Sequence, residues 1–145
     1  MNRLKTEEIT LIGTGKTIES AFSKAAMNMF EIVIDPKTVR NVSTKTMIFK
    51  AKTLKDALYI FIKKIYDLAS NETFLLNEVK NINIDEMNNE YLINAVLVGE
   101  KLNTEHIIKD IVKQITDRNI IVKENKDGCI AQLNIIVERR NVEEK

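Results

Sequence analysis

The sequence is poor in the residue types on which many kinds of functional site depend. Its 145 residues include one cysteine, one histidine, one proline and no tryptophan. The single Cys129 excludes a disulfide within the chain and a cysteine-based zinc cage, and the single His106 excludes a histidine pair. Lysine and arginine number 22 against 21 for aspartate and glutamate. The chain therefore lacks the basic excess typical of direct nucleic-acid binders, and we expect no direct grip on RNA or DNA.

The sequence also has little that would indicate a membrane span or a second domain. No apolar run approaches the roughly 20 residues that a membrane-spanning helix requires. Residues 1–8 are polar and charged, without the apolar centre of a signal peptide. No linker or internal repeat is visible, and the length fits one domain. We therefore expect a single soluble domain over residues 1–145, located in the cytoplasm and not in contact with a membrane.

Two segments carry the apolar periodicity of amphipathic helices. Thr17 and Thr53 precede them and are suitable N-caps, because a threonine hydroxyl can accept a hydrogen bond from a free backbone N–H of the first turn. Pro36 prevents the first helix from continuing. The pattern predicts helices at residues 17–34 and 54–69, each with one face to bury. The apolar positions are Ile18, Ala21, Phe22, Ala25, Ala26, Met29 and Phe30 in the first, and Leu54, Ala57, Leu58, Phe61, Ile62, Ile65 and Leu68 in the second.

The other apolar segments are rich in β-branched residues and partly alternating, which is typical of strands. Asn88-Asn89 and Asp127-Gly128 suit tight hairpin turns. Residues 102–116 fit either a short helix or an irregular strand. The order of elements predicts an α+β fold with a mostly antiparallel or mixed sheet and both helices packed on one face. The predicted strands are residues 8–13, 42–50, 80–85, 91–98, 120–124 and 130–138.

The usual signs of a catalytic site are weak. Gly13-Thr14-Gly15-Lys16-Thr17 ends like a phosphate-binding loop, but that loop requires a glycine five residues before Gly15, where Thr10 stands in an extended segment. Cys129 and His106 lie beside apolar residues, which favours structural roles. No serine has the setting of a hydrolase nucleophile. We therefore expect no catalytic residue and no enzyme, and a nucleotide-binding enzyme is the last of three hypotheses.

The acidic residues at strand ends are more informative. Glu7 and Glu8 begin the first predicted strand, and Glu138 ends the last. If these two strands are neighbours, Glu8 and Glu138 can share a hard metal ion through oxygen ligands. Solvated strand ends without any ion are the common alternative.

The order of segments resembles the archease family over about residues 6–138. Gly15-Lys16-Thr17-Ile18-Glu19-Ser20-Ala21-Phe22, continuing to Glu31, is similar to the first helix of the family. Gly99-Glu100-Lys101-Leu102, with Glu105-His106, Lys109 and the Asp-Gly hairpin, is similar to its second half. The resemblance implies a small α+β protein that is not itself an enzyme. It further implies a partner, an RNA-splicing ligase, whose guanylylation and repeated turnover the protein promotes.

The resemblance also implies a site. The family signature His-Thr-Ala-Asp corresponds here to Lys5-Thr6-Glu7-Glu8, with Glu8 at the position of a metal-ligating aspartate. Glu138 stands where a second aspartate is expected. The resemblance therefore implies a divalent metal ion, calcium or a similar one, at Glu8 and Glu138. Arg139 and Arg140 offer a different way to neutralise the two carboxylates.

Two functions thus lead. One is a non-enzymatic activator of an RNA-splicing or tRNA ligase, with a divalent ion at Glu8 and Glu138. The alternative is a metal-free archease-fold interaction module, which acts as a scaffold or chaperone-like adaptor.

Overall fold

The computed structural model describes residues 5–140, in which seven strands and two α-helices follow one another along the chain. No helix within these residues is long and apolar enough to cross a membrane. The elements are β1 (Lys5–Gly15), α1 (Ile18–Val33), a short 3-10 turn (Pro36–Thr38), β2 (Ser43–Ala51), α2 (Leu54–Glu72), β3 (Phe74–Met87), β4 (Glu90–Lys101), β5 (Ile111–Ile115), β6 (Ile121–Asn125) and β7 (Gly128–Arg139).

Both predicted helices are present and begin at the predicted caps. The Thr17 hydroxyl accepts a hydrogen bond from the backbone N–H of Ser20 at 3.0 Å, and the Ser20 hydroxyl accepts one from the N–H of Thr17 at 3.0 Å. Thr53 caps α2 through the N–H of Asp56 at 3.0 Å. Each cap satisfies backbone donors that the first helical turn leaves free, which is why the sequence predicts these starts well.

The strands are antiparallel throughout but belong to two sheets. One sheet has the order β1-β7-β5, with β6 also paired to β7, and the other has the order β2-β4-β3. The predicted α+β fold with antiparallel strands and two amphipathic helices is confirmed. The division into two sheets was not predicted. Each helix contacts strands of both sheets through its one apolar face.

Two segments differ from the prediction. Residues 102–110 form a loop, and only Ile111–Ile115 of the ambiguous segment is a strand. β3 begins at Phe74, six residues before the predicted start at residue 80. Phe74, Leu75 and Leu76 are all buried, so this part of the strand lacks the alternation by which half-buried strands are recognised. Both predicted hairpin turns are present, with Asn88 and Asn89 at φ values of 52° and 62°.

The two glycines of the phosphate-loop-like string lie inside β1, where that strand passes close to α1. A Cβ on Gly13 would overlap with the carbonyl oxygen of Ala21 and the backbone nitrogen of Ala25. A Cβ on Gly15 would overlap with the side chain of Ser20. Close packing of strand against helix therefore accounts for both glycines, without a phosphate.

Candidate acidic site on the outer face of the first sheet

The pairing of β1 with β7 places Glu8 and Glu138 on the same face of the first sheet. Thr6 lies opposite Glu138 and Glu8 lies opposite Ile136 in the antiparallel register. Alternate residues share a face of a sheet, and on this one the apolar residues that alternate with them, such as Leu11 and Val137, point into the core. The two glutamates are therefore diagonal neighbours on the outer face, not a directly opposed pair.

Glu8 is held by an arginine and an asparagine that are distant from it in the sequence. Arg118 contacts both carboxylate oxygens, with Nη2 at 3.0 Å from Oε1 and Nε at 3.2 Å from Oε2. Asn134 Nδ2 donates to Oε2 at 2.7 Å. The side chain of Glu8 is 34% exposed and that of Arg118 59%. Glu8 is thus a partly exposed carboxylate with both oxygens engaged.

Asn134 organises the surroundings of Glu8. Its Oδ1 accepts hydrogen bonds from the Thr10 hydroxyl at 3.1 Å and from Asn119 Nδ2 at 3.4 Å. Its backbone carbonyl accepts one from the Thr116 hydroxyl at 2.8 Å, and that hydroxyl accepts from the N–H of Arg118 at 3.1 Å. These bonds fix the turn between β5 and β6 against the sheet. In the sequence, this network is indicated only by Asn134, which is a polar residue inside the apolar run from Leu133 to Val137.

Glu138 is paired with a different cation. Its Oε1 lies 3.8 Å from Lys113 Nζ on β5, and its side chain is 17% exposed. Arg139, which follows it in sequence, points to the opposite face of β7. Arg139 Nε donates to Glu7 Oε1 at 2.6 Å, and its Nη1 donates to Asp110 Oδ2 at 3.0 Å. The hydrogen bond from Arg139 lowers the pKa of Glu7.

The cations that neutralise the acidic pair are therefore Arg118 and Lys113. The sequence alone suggests Arg139 and Arg140 for this role. Adjacent residues of a strand point to opposite faces, so Arg139 cannot face the same side as Glu138.

The side chains around Glu8 and Glu138 do not fit a divalent ion unless Arg118 moves away from Glu8. Calcium takes six to eight oxygen ligands, whereas Glu8 and Glu138 are diagonal on this face and each already contacts a cation. Both oxygens of Glu8 already accept hydrogen bonds. Within residues 5–140 no group of three or more histidine, cysteine, aspartate or glutamate side chains is placed to hold a metal. The metal ion that the sequence predicts at Glu8 and Glu138 would therefore have to displace Arg118.

Thermal melting with and without calcium, magnesium or manganese tests that prediction. An ion that binds the folded state raises the melting temperature as its concentration rises. Because Arg118 already neutralises Glu8, we expect no increase in the wild type at millimolar metal and an increase in Arg118→Gln. The Glu8→Gln, Glu138→Gln double variant is the control. A metal-dependent increase in the wild type that this control loses would show that the ion displaces Arg118 and that our expectation is wrong.

A second charged cluster is buried away from this face. The Glu100 carboxylate accepts hydrogen bonds from the backbone N–H of Arg40 at 2.8 Å and from Arg40 Nε at 3.3 Å. His106 Nε2 lies 2.9 Å from Glu100 Oε2, and His106 Nδ1 accepts from the N–H of Asn103 at 3.0 Å. Both ring nitrogens are thus engaged and the side chain is 3% exposed. His106 fastens the loop formed by residues 102–110 to β4, in agreement with the structural role expected for it.

The Glu100 cluster makes the domain sensitive to acid. The N–H of Arg40 and then His106 hold the pKa of Glu100 below its usual value. A carboxyl group with a lower pKa in the folded state stabilises the fold at neutral pH, and this stabilisation is lost as the pH falls through the folded-state pKa. We expect the melting temperature of the wild type to fall more steeply than that of Glu100→Gln between neutral pH and roughly pH 3. Parallel curves for the two proteins would contradict this assignment.

Taken together, the fold and the site define a class: a small α+β domain of two antiparallel sheets, with a polar, ion-paired acidic site on the outer face of one of them. The chain matches the family model described as Archease protein family (MTH1598/TM1083) over residues 6–137. The chain belongs to the archease family.

Relatives and a solved structure agree with this assignment. The chain is 30% identical over 124 residues to "Protein archease" of Thermococcus kodakarensis, which covers 85% of this chain and 87% of that protein. It is 28% identical over 129 residues to "Protein archease" of Methanosarcina barkeri, with 88% of each chain covered. The solution structure of Methanobacterium thermoautotrophicum protein 1598 superposes with a TM-score of 0.76 at 19% identity, over 93% of this chain and 99% of that one. At 19% identity, this structural similarity shows the fold alone.

Proposed function

We propose that this protein is a non-enzymatic protein cofactor that activates an RNA-splicing or tRNA ligase by promoting its guanylylation and turnover. The observation that carries the proposal is the archease family match over residues 6–137. The ligase is the partner that family membership implies, and RNA is reached through that partner.

The chemistry of the described residues supports a role without catalysis of its own. Cys129 is buried, and burial raises the pKa of its thiol, so the reactive thiolate is disfavoured. Both nitrogens of His106 are engaged within the protein. The Glu8–Arg118–Asn134 network, in contrast, is a partly exposed polar feature of the surface. A fixed, partly exposed ion pair is a suitable recognition element for a protein partner, because its charges are already oriented.

A ligation assay tests the proposal. The ligase encoded in the same genome would be incubated with RNA ends bearing a 2′,3′-cyclic phosphate and a 5′-hydroxyl, with this protein below the ligase concentration. We expect multiple turnovers only when the protein is present, and faster guanylylation of the ligase. Glu8→Gln and Arg118→Gln should each reduce the activation, whereas Lys126→Gln, in the exposed turn between β6 and β7, should not. Ligation that is unchanged by the wild-type protein would reject the activator role.

The alternative, a metal-free scaffold or chaperone-like adaptor, is favoured by one observation. Glu8 and Glu138 each have a protein cation as partner, at 3.0 and 3.8 Å, so the folded site does not require an ion. A pull-down with the same ligase separates the two roles. Stable binding without any effect on guanylylation or turnover would support the adaptor.

A further inference from the structure

An apolar cavity of about 350 Å³ lies at the C-terminal ends of α1 and α2. The loop formed by residues 102–110 and the start of β5 complete its walls. Apart from Arg140 and a few hydroxyl groups, its walls are apolar. Six of the residues that line it are Phe30, Val33, Ala69, Leu75, Ile108 and Arg140.

The loop that forms one wall is fastened along its length, so the cavity is preformed. The N–H of Leu102 donates to the carbonyl of Thr73 at 2.8 Å, and the N–H of Lys109 donates to that of Val33 at 2.7 Å. Between these two points His106 binds the buried Glu100. The loop therefore cannot collapse onto the helix ends without breaking these bonds, which is the usual condition of a ligand pocket.

The walls suit an alkyl chain better than water. Phe30, which lines the cavity, is 1% exposed, so the cavity extends to the edge of the hydrophobic core. A water molecule needs two to four polar partners to be held stably, and the apolar walls offer few.

The charges at its edge favour an anion. Arg140 lines the cavity and brings a guanidinium to its otherwise apolar walls. The acidic neighbour, Asp110, accepts hydrogen bonds from Arg139 Nη1 at 3.0 Å and from the backbone N–H of Arg140 at 2.9 Å.

We propose that this cavity binds a single-chain aliphatic carboxylate, with the alkyl chain among the apolar walls and the carboxylate at Arg140. The apolar walls would supply affinity through buried area, and the guanidinium would supply the preference for a carboxylate through charge-assisted hydrogen bonds. This site is separate from the Glu8 face, and it does not depend on the ligase proposal.

Calorimetry with the full chain tests the site, with decanoate as the probe and decanol and decyltrimethylammonium as matched ligands. We expect decanoate to bind with 1:1 stoichiometry below its micelle concentration and more tightly than either of the others. Arg140→Gln should weaken decanoate binding by roughly tenfold, the size of one charge-assisted hydrogen bond, and leave decanol unchanged. Lys126→Gln removes the same charge at a distance and should change neither.

A variant that fills the cavity tests the location. Ala69→Phe should abolish binding of decanoate and decanol, and a circular dichroism spectrum shows whether it is folded. Absence of saturable decanoate binding to the wild type would overturn the proposal. So would equal binding of decanoate and decyltrimethylammonium, or decanoate binding that Arg140→Gln leaves unchanged. Equal binding of the two ligands, or decanoate binding that does not depend on Arg140, would indicate an apolar anchor site, such as one for a side chain of a protein partner. If Ala69→Phe fails to fold, the Arg140→Gln variant and the comparison of the three ligands still test whether the cavity binds a carboxylate.

Discussion

Phe22→Ala and Phe61→Ala will each lower the free energy of unfolding by about 3–5 kcal/mol, the usual loss for a large aromatic residue removed from a core. Both side chains have 0% exposure, and their ring centroids lie 5.9 Å apart. This contact joins α1 to α2 where each helix also meets the sheets. Truncation of either ring removes buried apolar area and leaves a cavity that rigid neighbours cannot fill.

Urea denaturation of the wild type and the two variants measures the loss. Ile107→Ala is the matched control, because Ile107 is 79% exposed and its removal should change stability by less than about 0.5 kcal/mol. The double variant Phe22→Ala, Phe61→Ala should lose less than the sum of the two single losses, since the rings are in contact. A loss below about 1 kcal/mol for either single variant is incompatible with the buried face described here.

Gly13→Ala will destabilise the domain by about 3 kcal/mol or more, at the upper end of the range for overpacked sites. The added methyl group would overlap with backbone atoms of Ala21 and Ala25. Backbone atoms within a helix cannot turn aside as the end of a flexible side chain can, so β1 and α1 must separate. The same movement would disturb β7, to which β1 is paired along its whole length.

Thr14→Ala is the control for this experiment, because Thr14 is adjacent in β1 and exposed. We expect it to unfold at nearly the wild-type urea concentration. If Gly13→Ala were as stable as Thr14→Ala, the close approach of β1 to α1 would be wrong. The hypothesis that the glycine string is a phosphate-binding loop would then have to be considered again, and titration of the wild type and Lys16→Ala with ATP would test it.

The acidic site could be predicted in part. The positions of Glu8 and Glu138 on one face follow from strand alternation once β1 and β7 are paired, and the family resemblance points to both residues. Their partners could not be predicted. Arg118 is 110 residues from Glu8 in sequence, and its approach depends on the turn that Thr116 and Asn119 fasten to Asn134. Lys113 reaches Glu138 only because β5 pairs with β7.

The sequence by itself determined the elements that depend on neighbouring residues. The caps at Thr17 and Thr53, the apolar stripes of both helices and the Asn-Asn and Asp-Gly turns are interactions within a few positions, and they could be assigned without coordinates. The tertiary structure alone decided the division into two sheets, the cations that meet Glu8 and Glu138, and the cavity at the helix ends. These depend on strand partners and register between segments far apart in the chain, where many pairings satisfy the same local pattern and only packing of the whole core selects one.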